Sequence, residues 1–161
     1  GTILPPVPWV SQKPPEHPTL DLESLSETEG WILDRVRRSV AESERDGGNF
    51  LSHFLTLRPE TCADGAICNV ENGPHIGNRV GHVQGGIILA IGMVCATAAL
   101  GDEWLLSGVT ATYISPGEGD VIRAQSVIVH QGRMTAVVRT SVQSGSGKTA
   151  LEVLSTHARR A

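Results

Sequence analysis

Residues 78–101 read NRVGHVQGGIILAIGMVCATAALG, and this stretch decides the fold. Its last seventeen residues, from Gly85 to Gly101, carry no charge. The run is shorter than the roughly 18 to 20 strongly apolar residues of a membrane-spanning helix, and it is rich in Gly, Ala and Thr. A helix that is apolar on every side in a soluble protein must be wrapped by other elements. We therefore expect a buried central helix and no membrane association.

The rest of the chain supplies strands to surround this helix. Segments that are rich in β-branched residues and separated by Gly-bearing turns are typical of strands. Four follow the helix and two precede it: residues 104–114, 120–130, 133–143 and 149–157, and residues 49–57 and 65–70. With a turn at Pro59 to Asp64, this order predicts an α+β fold in which a curved antiparallel sheet wraps around one long apolar helix.

The chain divides at about residue 25. Six of the nine prolines lie within the first 18 residues, where they bar regular helix and central strand. Residues 1–25 are therefore predicted to form a Pro-rich arm or linker. Residues 26–161 have the length and the apolar content of one domain.

This domain opens with a predicted helix at about residues 27–45. Ser26 and Glu29 have capping-box spacing, and Asp46-Gly47-Gly48 follows as a stop signal. Apolar residues recur along it at three-to-four spacing, which predicts that the helix packs on something larger. They are Trp31, Ile32, Val36 and Val40.

Composition narrows the possible partners and cofactors. A net charge of −4 and a pI near 5.8 provide no basic surface for a nucleic acid. The three cysteines lack the paired close spacing with His that a zinc site needs, and the histidines form no metal-ligand pattern. We expect reduced thiols, a cytoplasmic protein and no metal site.

Gly85 and Gly86 stand where an extended segment leads into the central helix. The first N–H groups of a helix have no intrahelical partner and lie at the positive end of its dipole. Without side chains at these positions, a thioester carbonyl can approach the backbone closely, as an oxyanion hole for acyl transfer requires. The Gly86 N–H is the favoured donor. The alternative is that both glycines merely permit a tight turn.

The same segment resembles the signature of the hot-dog-fold thioesterases of the phenylacetate-degradation type. That pattern is Asn, two residues, Gly, two residues, then His-Gly-Gly at the start of the central helix. Asn78, Gly81, Gly85 and Gly86 stand at matching positions, and the resemblance continues through ATYISPGEGDVIRAQSVIVHQGRMTAVVRTSVQSGSGKTALE to cover about residues 48–157. It implies the hot-dog fold, and dimers or tetramers with an acyl-thioester channel between subunits.

Two departures from the pattern concern catalysis. Gln84 replaces the His before Gly-Gly, and Met93 stands where the central helix of the family carries its Asp or Glu. A thioether neither accepts a proton from water nor attacks an acyl carbon, so the role of that carboxylate cannot pass to Met93. Gln84 can still hold a substrate or a water, but an amide is no general base at neutral pH.

Other residues are candidates for the missing base. His82 lies two residues before Gln84, so both side chains point to one face if the stretch is extended. Glu71, at the end of a predicted strand, could reach the same pocket across a dimer interface. Thr97, one helical turn beyond Met93, is a further residue for the substrate pocket, or a Thr that bonds its own helix.

Three functions follow from these residues. The first is an acyl-CoA thioesterase-like hydrolase in which Gly86 holds the carbonyl, Gln84 and Asn78 hold substrate or water, and a base activates the water. The second is a noncatalytic acyl-thioester-binding subunit, or a partner of a second hot-dog chain that supplies the missing acid. The third, an enoyl-thioester dehydratase, needs a His paired with a carboxylate, and no local motif provides one. Coenzyme A enters only as part of the substrate, and no other cofactor is expected.

Overall fold

The computed structural model of the chain describes residues 21–160. The helices are α1 (Glu27–Asp46), α2 (Phe50–Phe54) and α3 (Gly85–Leu100), preceded by a 3₁₀ turn at Leu22–Ser24. The strands are β1 (Glu60–Cys62), β2 (Gly65–Glu71), β3 (Trp104–Tyr113), β4 (Val121–Gln131), β5 (Thr135–Gln143) and β6 (Thr149–Arg159). Most of the predicted Pro-rich segment, residues 1–20, lies outside the described residues.

The six strands form one antiparallel sheet in the order β1-β2-β4-β5-β6-β3. Buried and exposed residues alternate along β4, where Ile122 and Ala124 point inward, as in a strand with one face on a core. Ile88, Ile91 and Cys95 of α3 belong to the same buried cluster. The predicted central helix and the four long strands after it are confirmed, and the core lies between them.

The strand predicted at residues 49–57 is wrong, because this segment forms α2. Asn49 caps the helix by accepting a hydrogen bond from the Leu51 N–H through its side chain, at 2.8 Å. Phe50 and Phe54 stack one turn apart, with ring centroids at 5.4 Å. An Asn cap followed by apolar residues at i and i+4 is a helical signal, and it outweighs the strand propensity of the segment. The first strand is β1, within the predicted turn.

The predicted N-terminal helix is confirmed as α1. Ser26 and Glu29 form both hydrogen bonds of the capping box, and Gly47 ends the helix with a φ of 68°. Its main packing partner is only the short α2. Trp31 and Val40 of the predicted apolar stripe remain 41% and 42% exposed, so α1 does not pack on a larger body among residues 21–160.

The central helix is not wrapped on every side, contrary to the prediction. One face of α3, which we call the covered face, packs on the sheet through Ile88, Ile91, Gly92 and Cys95. The opposite stripe, the open face, has Gly86 and Thr97 exposed and Ala90 and Met93 half-buried. A single sheet covers only one side of a helix that lies on it. Among residues 21–160, no helix is long and apolar enough to cross a membrane.

Candidate active site

The loop between β2 and α3 is held by backbone hydrogen bonds to the loop after β3 and by others within itself. Val83 N–H donates to the Gly117 carbonyl at 2.9 Å, and Gln84 N–H donates to the Ile76 carbonyl at 3.0 Å. Short bridges on both sides of Val83 keep it extended, next to Gly77 and Gly117. Val83 and Gln84 are therefore extended where the chain enters α3, but residues 79–82 before them form a turn and a bend rather than the predicted extended strand.

Asn78 organises this loop. Its side-chain oxygen accepts hydrogen bonds from the N–H groups of Val80 and His82, at 3.0 and 3.1 Å. Its own N–H donates to the His82 carbonyl at 2.7 Å. Gly81 has a φ of 82°, a left-handed conformation that glycine adopts without strain. Asn78 thus fixes the path of the chain toward Gln84, and its oxygen is occupied in doing so.

The first turn of α3 presents free N–H groups. Gln84 is the N-cap, but its side chain makes no cap hydrogen bond. Its carbonyl accepts from Ile87 and Ile88, and neither the Gly85 nor the Gly86 N–H has an acceptor among residues 21–160. The first turn holds no acidic residue, so the positive end of the helix is uncompensated. Both glycines are exposed, which leaves these donors open to an oxyanion.

The two glycines differ in what surrounds them. A Cβ added at Gly85 would lie 3.3 Å from the ring of Tyr113, whose hydroxyl also donates to the Gly85 carbonyl at 3.0 Å. A Cβ added at Gly86 would meet nothing within 4 Å. Packing therefore explains the glycine at 85 but not the one at 86. The sequence analysis missed Tyr113, because nothing local connects the end of β3 to the start of α3.

The structure pairs His82 with a carboxylate. The Nε2 atom of His82 lies 3.4 Å from Oε1 of Glu118, in the loop between β3 and β4. Both side chains are accessible, at 36% and 57% exposure. The sequence analysis missed Glu118, because no local motif joins two residues so far apart along the chain. The Gly-rich segment SPGEGD, residues 115–120, does indicate that the chain reverses direction at Glu118. It does not indicate which residue Glu118 meets.

Gln84 is exposed and is held only weakly. Its side-chain Nε2 faces the Gly77 carbonyl at 3.5 Å, the outer limit of a hydrogen bond. Its side-chain oxygen has no partner among the described residues. The amide can therefore accept a hydrogen bond from a water or a ligand beside the first turn of α3.

Met93 and Thr97 lie elsewhere on the open face. Together with Pro59, Val94, Ala98 and Asp102 they line a shallow depression of about 360 Å³. Asp102 supplies a carboxylate that the sequence analysis did not consider. However, it follows the end of α3 at Leu100, which at a rise of 1.5 Å per residue lies ~21 Å along the helix axis from Gly86. Within one chain it cannot serve a carbonyl held at that N–H.

Glu71 belongs to a different group of side chains. It ends β2 opposite Val121, and its charge acts on Arg35 and His75. Burial, and then the positive charge of Arg35, lower the pKa of His75 to about 4. Within one chain Glu71 is therefore part of the surroundings of α1, and it is not brought to Gln84 or His82. No group of three His, Cys, Asp or Glu side chains within residues 21–160 is arranged to hold a metal ion.

Comparison with solved structures identifies the fold. The BH2602 protein from Bacillus halodurans, solved with CoA, is 23% identical over 88% of this chain and 99% of its own, with a TM-score of 0.73. A mutant of a thioesterase from Staphylococcus aureus is 18% identical over 70% and 100%, with a TM-score of 0.63. The E. coli PaaI protein of the phenylacetic acid degradation operon is 17% identical over 81% and 96%, with a TM-score of 0.65.

These likenesses confirm the predicted hot-dog fold, an α+β arrangement of an antiparallel sheet on a central helix. No protein-family model matches the chain, and no curated protein matches it.

Proposed function

We propose that this chain is an acyl-thioester hydrolase that acts on acyl-CoA, with the carbonyl oxygen of the thioester bound by the Gly86 N–H. The observation that carries the proposal is an exposed N–H with no acceptor among residues 21–160, at a glycine that packing does not require. A solved structure of similar fold contains CoA, and another is a thioesterase, which supports this substrate class.

In this proposal His82 replaces the missing carboxylate as the general base. The Glu118 carboxylate, 3.4 Å from Nε2, favours the proton on that nitrogen and leaves Nδ1 to take a proton from water. The resulting hydroxide attacks the carbonyl carbon, and the negative charge of the tetrahedral intermediate develops at the Gly86 N–H. When the C–S bond breaks, the protonated imidazole returns its proton to the leaving thiolate. The products are a carboxylic acid and free coenzyme A.

The other predicted site residues take supporting roles. The free oxygen of Gln84 orients the attacking water, and Asn78 acts indirectly by fixing the loop that carries His82. Gly85 accommodates Tyr113 beside the first turn. Met93 and Thr97 provide the wall against which the acyl chain lies. Glu71 is assigned a role only if a second subunit brings it to this face.

We further propose that a second copy of the chain covers the open face. β3 is an edge strand, hydrogen-bonded to β6 alone. It exposes a row of apolar side chains, and an uncovered edge of this kind favours pairing. They are Leu105, Leu106, Val109 and Tyr113. Pairing through β3 would enclose a channel that one chain leaves open.

Sedimentation of the full chain and of Val109→Lys tests the assembly. Val109 is 42% exposed on β3, and Val121 on the interior strand β4 has the same exposure, so Val121→Lys is the matched control. We expect the parent and Val121→Lys to sediment as dimers or tetramers and Val109→Lys as a monomer. A monomeric parent would contradict this part of the proposal.

Thiol release from a panel of short, long and aromatic acyl-CoAs tests the activity. Gly86→Pro removes the N–H, and proline is tolerated in the first turn of a helix, where that N–H has no intrahelical acceptor. We expect kcat to fall by about 10² to 10³-fold. Gly86→Ala keeps the N–H and should lose less. Unchanged turnover in Gly86→Pro would exclude this oxyanion site.

The proposed base is tested in the same assay. His82→Gln should lower kcat by about 10² to 10⁴-fold, because a general base is lost. Glu118→Gln should lower it less, because the imidazole remains. The control is Glu103→Gln, which removes a carboxylate from a surface ion pair with Arg159 at 2.7 Å and should leave the rate unchanged. Full activity in His82→Gln would show that the base is another group.

Met93 favours a second candidate, a noncatalytic acyl-thioester-binding subunit or the partner of another hot-dog chain. The open face carries no titratable side chain among Gly86, Ala90, Met93 and Thr97. In that case the parent releases no thiol from any thioester but still binds acyl-CoA. Activity that appears in Met93→Asp, or on mixing with a second hot-dog chain, would select this function over the hydrolase.

A further inference from the structure

A polar cavity lies between α1 and α2 and shares no residue with the site at α3. Its volume is about 140 Å³. Positions 35, 38 and 42 of α1 fall on one helix face and line it on that side. The remaining wall comes from α2 and the segment that follows it. The lining side chains that could contact a ligand through charged or polar atoms include Arg35, Arg38, Glu42, His53, Thr56 and Arg58.

Arg35 is held in place from three sides. Its Nε donates to the Phe54 carbonyl at 2.7 Å, and its Nη2 donates to the Thr56 hydroxyl at 2.9 Å. The guanidinium lies 5.4 Å from the centre of the Trp31 ring and 5.9 Å from that of Phe54. Arginine has five N–H donors, so these contacts leave three available. The group is preorganised, with donors to spare.

The cavity has an excess of positive charge in a chain whose net charge is −4. Within residues 21–160, neither Arg38 nor Arg58 has a carboxylate oxygen within 4.0 Å. Glu42 is the sole acid of the lining, and it lies 3.3 Å from Nδ1 of His53. The lining thus has three guanidinium groups and one carboxylate. Two more carboxylates lie close by but outside the lining: Asp46 is 3.2 Å from Nε2 of His53, and the charge of Glu71 acts on Arg35. An anion would relieve the mutual repulsion of the guanidinium groups.

The backbone conformation of Thr56 is a further feature of this cavity that is typical of ligand-binding sites. Its φ is 54°, a left-handed conformation that is rare and unfavourable for a β-branched residue. This conformation is accompanied by two hydrogen bonds, one from Arg35 to the Thr56 hydroxyl and one from the Thr56 N–H to the His53 carbonyl at 3.2 Å. Such strain clusters at ligand sites, where the surrounding structure holds it in place.

We infer that the cavity binds a phosphate group, either as inorganic phosphate or as the terminal group of a phosphate ester. Arginine forks match the oxygens of a tetrahedral dianion, and several guanidinium groups around one cavity are the usual means of holding it. Pockets for drug-sized molecules occupy roughly 300 to 1,000 Å³. This cavity is smaller, so it suits one phosphate group rather than a whole nucleotide.

Calorimetric titration of the full chain with inorganic phosphate at low ionic strength tests the inference. Arg38→Gln and Arg58→Gln remove exposed guanidinium groups that have no ion pair within the described part of the chain, so the fold should be unaffected. We expect each to raise the Kd for phosphate about tenfold, since a hydrogen bond to a charged group is lost. The control is Arg37→Gln on the same helix. Arg37 is exposed, pairs with Asp34 at 3.7 Å and does not line the cavity.

Two results would overturn the inference. One is the absence of saturable phosphate binding to the parent, and the other is an equal loss in Arg37→Gln, which would reflect net charge alone. Competition then identifies the source of the phosphate. Displacement by coenzyme A but not by its dephospho form assigns the site to the 3′-phosphate of the coenzyme. Binding of phosphate that neither compound displaces supports a site for free phosphate or a smaller ester.

Discussion

The two faces of α3 are equally apolar in sequence but differ in what covers them. On the covered face, Ile91 and Cys95 are fully buried beneath the sheet. On the open face, Gly86 and Thr97 are exposed, and no element of the described chain packs over them. The difference shows that a helix without charged residues on any side can serve two separate functions with its two faces. One face serves the fold of the chain, and the other is available for a ligand and for the second copy that we propose.

The largest expected effect is on the covered face. Ile91→Ala leaves a cavity in the core and should lower the free energy of unfolding by about 2 to 5 kcal/mol, measured by urea denaturation. Met93→Ala, on the half-buried open face, should cost less than about 2 kcal/mol. Equal losses from the two substitutions would break the distinction between the faces.

A second test adds volume instead of removing it. A Cβ at Gly92 would lie 3.1 Å from a methyl group of Val142, so Gly92→Val should overpack the core and cost about 1 to 3 kcal/mol. Ala90→Val places the same side chain on the open face. It should cost less than about 1 kcal/mol, mainly through helix propensity. A tolerated Gly92→Val would mean that the sheet can move away from α3.

Thiol reactivity sharpens the comparison without changing the fold. Burial raises the pKa of Cys95, whose thiol also donates to the Ala66 carbonyl at 3.2 Å, and burial raises the pKa of Cys68 as well. Cys62 is exposed. A thiol reagent at mildly alkaline pH should therefore modify one cysteine quickly in the native protein and all three in denaturant. Cys62→Ser should abolish the fast phase of the reaction. A second thiol that reacts quickly in the native protein would contradict the burial of the covered face.

The smallest expected effect compares the two glycines at the start of α3. Gly86→Ala should change the free energy of unfolding by no more than about 1 kcal/mol, and in the stabilising direction, because alanine favours a helix and space is open. Gly85→Ala must displace the ring of Tyr113 and should be destabilising by a similar amount. Marked destabilisation by Gly86→Ala would mean that the fold, rather than a ligand, requires that glycine.

Local sequence patterns predicted most elements correctly. The capping box at Ser26 and Glu29, the apolar run after Gly85 and the β-branched strands depend on neighbours in sequence, and each is present in the structure. The segment at 49–57 was mispredicted because apolar residues at both strand and helix spacing made it ambiguous. Its Asn cap was the signal that should have decided the matter.

The candidate site was predictable only in part. Gln84, Gly85 and Gly86 lie in one short motif, so their place at the start of α3 followed from the sequence. Tyr113, at the end of β3, reaches this turn, and Glu118, in the loop after β3, lies beside His82 just before it. Their positions depend on strand register and loop path, which no local pattern encodes.

The resemblance of the segment around Gly85 and Gly86 to a known signature implied the hot-dog fold, and the sequence by itself determined an α+β arrangement, the central helix and the free N–H groups at its start. These features follow from hydrophobic period, capping and backbone chemistry over a few neighbouring residues. Only the tertiary structure decided which face of α3 is covered, which carboxylate meets His82, and that three arginines surround one cavity beside α2. Each of these depends on packing between segments far apart in the chain, where sheet register and helix docking set the distances.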